Sequence, residues 1–220
     1  VKKGDKVALL SEGRNAWIIG ELAILHTGAV NVPLSIKLEE SNDLIFRLVH
    51  SEAKYIMVSG SQLKKIRTIA NALPDIKSII IFDEQIDYEP NEISLTQLKQ
   101  WGKDFLLKNP DAVINSSLSI QADDIANISY TSGTTADPKG IMLTHRNYTA
   151  NVEQALTLMT IPPTFRTLII LPLDHCFAHV AGFYSFMASG ASVGTVQNGK
   201  TGLETLKNIP ANIKELQPDL

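Results

Sequence analysis

The segment Thr131–Gly140 (TSGTTADPKG) carries four hydroxyl side chains, Thr131, Ser132, Thr134 and Thr135, with Gly133, Gly140, one proline and Lys139, between two apolar runs. Packing does not account for that composition. Glycine frees backbone amides, the hydroxyls donate, and the Lys139 ammonium adds positive charge, which together suit a polyphosphate. The spacing is not that of a Walker A loop, which needs four residues between its glycines and then Lys-Ser/Thr entering a helix. Here six residues separate Gly133 from Gly140, Lys139 precedes the second glycine, and a strand-like run follows. A P-loop kinase or ATPase is excluded on that ground. A solvated hairpin loop rich in turn formers is the plainer reading of the same residues.

Few other residues make a case for chemistry. Cys176 is the single cysteine, so no intramolecular disulfide and no cysteine-built zinc site can form. A His175/Cys176/His179 metal site would crowd its ligands onto one strand-to-helix turn, which fits tetrahedral geometry poorly. Cys176 as a nucleophile lacks an identifiable oxyanion site. His26 and His50 read as ordinary helix residues, His179 carries no separate case, and His145 with Asn147 is expected to cap the helix that follows.

The elements that must position these residues alternate between strand and helix. Strands are expected at Lys6–Leu10, Val30–Leu34, Tyr55–Val58 and Ser78–Phe82, the last a β-branched run typical of burial on both faces. Between them, apolar residues at helical spacing (Ile18, Leu22, Leu25; Leu44, Leu48; Leu63, Ile66, Ala70) mark helices. Gly28 is expected to stop the first and Ser61 to cap the third. A helix near Leu95–Leu106 precedes NPDAVINSS, read as a loop and as the junction between subdomains. The second half predicts strands at Ile125–Tyr130, Ile141–Leu143, Thr167–Leu171 and Ser192–Val196. Its helices are expected at about 147–159, 178–188 and 203–216. Repeated βαβ units imply an α/β fold with a mostly parallel sheet flanked by helices. The division expected is residues 1–120 as a first βαβ subdomain and 121–220 as a second, which carries the polar loop.

Of the 220 residues, 44% are hydrophobic and 20% charged, which excludes a disordered or collagen-like chain. The net charge of −3, with no basic stripe, argues against a nucleic-acid partner. Residues 175–199 hold no Lys, Arg, Asp or Glu, but two histidines, three serines and several glycines interrupt them, so a buried helix, turn and strand are expected rather than a membrane span. No secretory leader is recognisable and a reducing, cytoplasmic setting is expected. The chain opens on a strand-like run and stops at LQPDL where the alternation calls for another strand, so both ends are expected to be boundaries within a longer protein.

YTSGTTADPKGIMLTHRN closely resembles the phosphate-binding signature of the adenylate-forming superfamily, T-S-G-[ST]-T-G-x-P-K-G, matching it at every position from Thr131 to Gly140 but one. VKKGDKVALLSEGRNAWIIGELAILHTGAVNVPL and LPLDHCFAHVAGFYSFMASGA are similar to segments of long-chain fatty acyl-CoA synthetases. The resemblance covers essentially the whole chain and implies the large N-terminal domain of such an enzyme. The activity implied uses a fatty acid, ATP with Mg2+, and CoA: a carboxylate attacks the α-phosphate to give an acyl-adenylate, and the CoA thiol then attacks that. Ser132, Thr134, Thr135 and Lys139 would hold the β- and γ-phosphates, with Thr131, Gly133 and Gly140 shaping the loop. His175 would stand at the carboxylate end of an acyl tunnel, with Phe177, Gly182 and Phe183 lining it. The bland reading of His175 is a strand-end residue bonded to backbone, and that of the aromatic residues is plain core.

One position departs from the signature: Ala136 stands where the family usually has glycine. It is expected to occupy an allowed region, because every donor-bearing position around it is intact. The resemblance also implies elements outside this sequence: a YG-x-TE segment whose Glu binds Mg2+, a TGD segment whose Asp holds the ribose, a hinge, and a C-terminal domain with a catalytic Lys. The parent protein is therefore expected to be a long-chain fatty acid–CoA ligase and the chain alone to be inert. Alternatives are another adenylate-former, such as an acyl-carrier-protein ligase or a peptide-synthetase adenylation domain, and a non-catalytic nucleotide- or acyl-binding module. Peripheral membrane association, chain-length preference and oligomeric state are left open.

Overall fold

A computed structural model describes residues 1–131, 138–199 and 201–220. Ser132, Gly133, Thr134, Thr135 and Ala136 lie outside the described residues. The chain divides into two compact units, Val1–Ser11 with Ile19–Thr144, and Glu12–Ile18 with His145–Leu220.

The first unit is built on a seven-stranded sheet in the order β5-β4-β3-β1-β2-β6-β7. Its strands are β1 (Lys6–Leu10), β2 (Val30–Leu34), β3 (Ala53–Val58), β4 (Ser78–Ile81), β5 (Glu92–Ser94), β6 (Ile125–Tyr130) and β7 (Gly140–Thr144). All neighbours run parallel except the β6–β7 hairpin. The helices are α1 (Asn15–His26, whose first four residues, Trp17 among them, belong to the second unit), α2 (Ser41–His50), α3 (Gly60–Ile69), α4 (Leu95–Lys108) and α5 (Ala112–Leu118). Because β1 has β2 on one side and β3 on the other, right-handed crossovers send α1 to one face of the sheet and α2 and α3 to the other. Leu44 and Leu48 of α2 and Leu63, Ile66 and Ile69 of α3 join Ala8, Leu10, Val32, Ile56, Val58 and Ile81 in one core. On the other face α1 lies close enough that a Cβ on Gly20 would sit 3.3 Å from Met57 Cε. With both faces covered, β1 is apolar at every position from Val7 to Leu10 rather than alternating.

Gly28 ends α1 at φ +70°, and a Cβ there would come within 3.0 Å of Lys3. The start of α3 differs from expectation. The helix begins at Gly60 and Ser59 precedes it without a capping side-chain bond. The first amide is met instead by the Asp83 carboxylate from beyond β4, 2.8 Å from Gly60 N. A carboxylate answers both the free N–H and the positive end of the helix, which a serine hydroxyl does less well.

Two elements of this unit escaped the sequence reading. NPDAVINSS is largely helical, as α5, and β5 is a three-residue strand whose first residue is charged. Glu92 is buried in β5 because Arg67 of α3 meets it with two bonds, Nε to Oε1 at 2.8 Å and Nη2 to Oε2 at 2.6 Å. β6 and β7 join the same sheet as β1–β5, so the division falls after Thr144, and the boundary expected near residue 120 lies inside the first unit.

The second unit holds α6 (His145–Leu158), the parallel pair β8 (Arg166–Ile169) and β9 (Ser192–Thr195), α7 (Ser185–Ala188) and α8 (Gly202–Leu216). α6 starts at His145, so His145 and Asn147 sit in its first turn rather than ahead of it. The helix expected at 178–188 forms, but Ala178–Tyr184 has π-helical winding before α7 continues it. Gly190 at φ +72° closes it, and Thr201 caps α8 by accepting from Glu204 N at 3.2 Å.

Candidate active site

The polar segment leaves the carboxyl end of β6, the end at which open parallel sheets bind ligands. β6 and β7 pair antiparallel, with Ile128 opposite Met142 and Tyr130 opposite Gly140. The ladder runs one step further: Thr131 N–H donates to Lys139 O at 3.1 Å. Thr131 and Lys139 are therefore side by side at the base of the segment, both with exposed side chains.

Tyr130 anchors that base. Its hydroxyl lies 2.8 Å from His50 Nδ1 and 3.3 Å from Arg47 O, both at the end of α2. The Arg47 guanidinium stands 5.8 Å from the ring centroid. Burial holds the Tyr130 phenol above its ordinary value, so it stays protonated and can donate to the carbonyl. Gly140 is where the chain passes closest to this ring: a Cβ would lie 3.0 Å from Ile128 Cγ2 and 3.4 Å from Tyr130 Cε1. Close approach, not positive φ, explains the glycine.

In the second unit the histidines divide sharply. His175 is exposed, in the turn after β8. Its Nδ1 accepts from Phe177 N–H at 3.3 Å. A ring nitrogen that accepts is unprotonated, so the proton of the neutral ring belongs on Nε2, which can donate outward. Phe177 is 61% exposed, whereas Phe183 is 0% exposed, with its ring centroid 5.8 Å from that of His179. A Cβ on Gly182 would meet Ile169 of β8 at 3.5 Å.

His179, for which the sequence made no case, is fully buried. Its Nε2 lies 2.7 Å from Leu173 O and its Nδ1 3.0 Å from Tyr148 OH. A carbonyl only accepts, so Nε2 carries the proton and Tyr148 donates to Nδ1. Desolvation lowers the imidazole to about 4. Trp17, Tyr148, Phe183 and Tyr184 surround it, the nearest ring centroid 5.3 Å away. The available signal was a histidine inside an uncharged apolar stretch, where both ring nitrogens must find partners.

Among the described residues no three His, Cys, Asp or Glu side chains converge as metal ligands. The described residues therefore do not by themselves assemble a ligand cluster for Mg2+. No helix among the described residues is long and apolar enough to cross a membrane.

Residues 1–220 match the family model for AMP-binding enzymes, and the chain belongs to that family. It is 29% identical over 214 residues to chalcone synthase cfoA of Aspergillus candidus, covering 96% of this chain and 8% of that protein. It is 29% identical over 202 residues to the peroxisomal long chain acyl-CoA synthetase 7 of Arabidopsis thaliana, covering 89% of this chain and 28% of that protein. The crystal structure of the anthranilate CoA ligase AuaEII in complex with anthranoyl-AMP aligns with a TM-score of 0.77 at 21% identity, covering 99% of this chain and 39% of that one. The fold is that of the N-terminal domain of adenylate-forming enzymes, and the chain spans well under half the length of these relatives.

Proposed function

We propose that the complete protein is a long-chain fatty acid–CoA ligase and that the two units described above carry its phosphate-binding and carboxylate-binding groups. The family membership supports an adenylate-forming reaction. The observation that carries the reading furthest is the β6–β7 base, where the Thr131–Lys139 bond closes a segment rich in hydroxyl and amide donors.

In the first step a carboxylate oxygen attacks the α-phosphorus of ATP. The bond between that phosphorus and the bridging oxygen breaks, and pyrophosphate leaves with the electron pair. Negative charge accumulates on the leaving group, so donors that follow it lower the barrier more than donors that merely bind ATP. Ser132, Thr134, Thr135 and Lys139 are assigned to that charge, with Lys139 as a mobile point charge. Thr131, Gly133 and Gly140 are assigned to shaping the loop. His175, through its outward Nε2–H, is assigned to a carboxylate oxygen of the substrate, where it orients the attack. Phe177 is assigned to the acyl chain, with Gly182 and Phe183 as the packed wall behind it. In the second step the CoA sulfur attacks the acyl carbonyl and AMP leaves.

The test is product analysis with the complete protein, ATP, Mg2+, CoA and carboxylic acids from short to long. A thioester with CoA and stoichiometric AMP, favoured by long-chain acids, is the expected result. Formation of AMP without any thioester would refute the ligase assignment.

A further inference from the structure

We propose that His179 is a positioning residue, which holds the turn bearing His175 by donating to the Leu173 carbonyl. The inference rests on the assignment of His175 to the substrate carboxylate. The turn from Pro172 to Phe177 has few internal ties. His175 N–H reaches Pro172 O at 3.4 Å, and Ala178 N–H reaches His175 O at 2.9 Å. The Leu173 carbonyl points into the unit, where His179 Nε2 meets it at 2.7 Å, shorter than the 2.9, 3.3 and 3.4 Å bonds within the turn.

Three observations make this bond a fixed point. Leu173 is 2% exposed, so water is not at hand to replace the donor. Tyr148 OH at 3.0 Å donates to Nδ1 and so supports the Nε2–H tautomer that the Leu173 carbonyl requires. The aromatic rings around His179 leave the imidazole little freedom to turn. Leu173 lies two residues from His175, so moving the carbonyl shifts the backbone from which the His175 ring projects. That would disturb the 3.3 Å bond from Phe177 N–H to His175 Nδ1, which holds the outward Nε2–H tautomer. His179 thus acts on the substrate through His175 and does not touch it.

The experiment compares the complete protein with His179→Phe, His179→Gln, Tyr148→Phe and His175→Ala. Phenylalanine fills the space without donating, whereas glutamine restores an N–H within reach of Leu173 O. His179→Phe is expected to raise the KM for the carboxylic acid at least tenfold while leaving the KM for ATP within twofold. His179→Gln should recover most of that loss, and Tyr148→Phe should fall between. Long-range 1H–15N spectra of the labelled protein read the His175 tautomer directly. The Nε2–H form is expected in the wild type and a mixture in His179→Phe. An unchanged acid KM together with an unchanged His175 tautomer in a folded His179→Phe would overturn the proposal, as would equal losses toward acid and ATP. If His175→Ala leaves the acid KM unaltered, the assignment of His175 fails, and the spectra alone then decide whether His179 sets its tautomer.

Discussion

The main-chain N–H of Thr131 donates to the carbonyl of Lys139 at 3.1 Å, although seven residues lie between them in the sequence. The bond extends the β6–β7 ladder beyond Tyr130 and Gly140, so the segment starts and ends on paired backbone. Placing Lys139 at that base keeps its charge beside the segment whatever conformation the long side chain adopts.

Enlarging Gly140 is the direct probe of this base. A Cβ there would stand 3.0 Å from Ile128 Cγ2 and 3.4 Å from the Tyr130 ring. Gly140→Val is expected to lower stability by about 1–3 kcal/mol, the usual range for overpacking, and Gly140→Ala by less. Urea unfolding of the two variants checks the order.

The buried imidazole of His179 predicts a pH dependence of stability. Its value in the folded state is lowered to about 4, while an unfolded histidine titrates near 6.5. Between these values the unfolded chain binds the extra proton, so the stability from burying a neutral ring is complete above about pH 6.5 and is lost as the pH falls toward 4. The slope approaches about 1.4 kcal/mol per pH unit within that window. Asp174, which favours the cation, and His175, which opposes it, are retained in His179→Gln. That variant should therefore lose this part of the slope, as urea midpoints at pH 7, 6 and 5 would reveal. A slope equal to the wild type would show that other groups set it.

Arg67 and Glu92 make an ion pair in the first unit in which the Glu92 side chain is 1% exposed. Burial alone would raise the Glu92 carboxyl, but the bonds from Arg67 and from Glu89 N–H hold it below its ordinary value. Arg67→Met leaves a carboxylate without its partner and is expected to cost about 3–5 kcal/mol. Adding Glu92→Gln should recover much of it, since the charge that lacked a partner is then gone. A thermal melt of the single and double variants measures the coupling; strict additivity would contradict this account.

Much of the fold was legible because its signals are local and repeated. The apolar runs of β1–β4 and the helical spacing of Leu44/Leu48 and Leu63/Ile66 place a doubly covered sheet without any tertiary information. What escaped depends on partners distant in sequence. β5 is three residues long and opens with a glutamate, which reads as loop until Arg67 neutralises it. α3 takes its cap from Asp83, more than twenty residues away, so Ser61 was the nearer and wrong candidate. For the candidate site, the composition of 131–140 singles out Thr131, Lys139 and Gly140 at sight. His179 is different: its environment comes from Trp17, Tyr148 and Leu173, residues scattered over some 160 positions.

The most direct measurement is ATP–pyrophosphate exchange by the complete protein across a panel of carboxylates, with its Lys139→Ala variant and the 220-residue chain in parallel. The account predicts exchange that requires a fatty acid and falls by about a hundredfold or more in the variant, as when a donor to developing charge is removed. It also predicts silence from the 220-residue chain. Exchange at the wild-type rate in Lys139→Ala would contradict the role given to Lys139. No exchange by the complete protein with any carboxylate would contradict the ligase itself and favour a binding module that does not turn over.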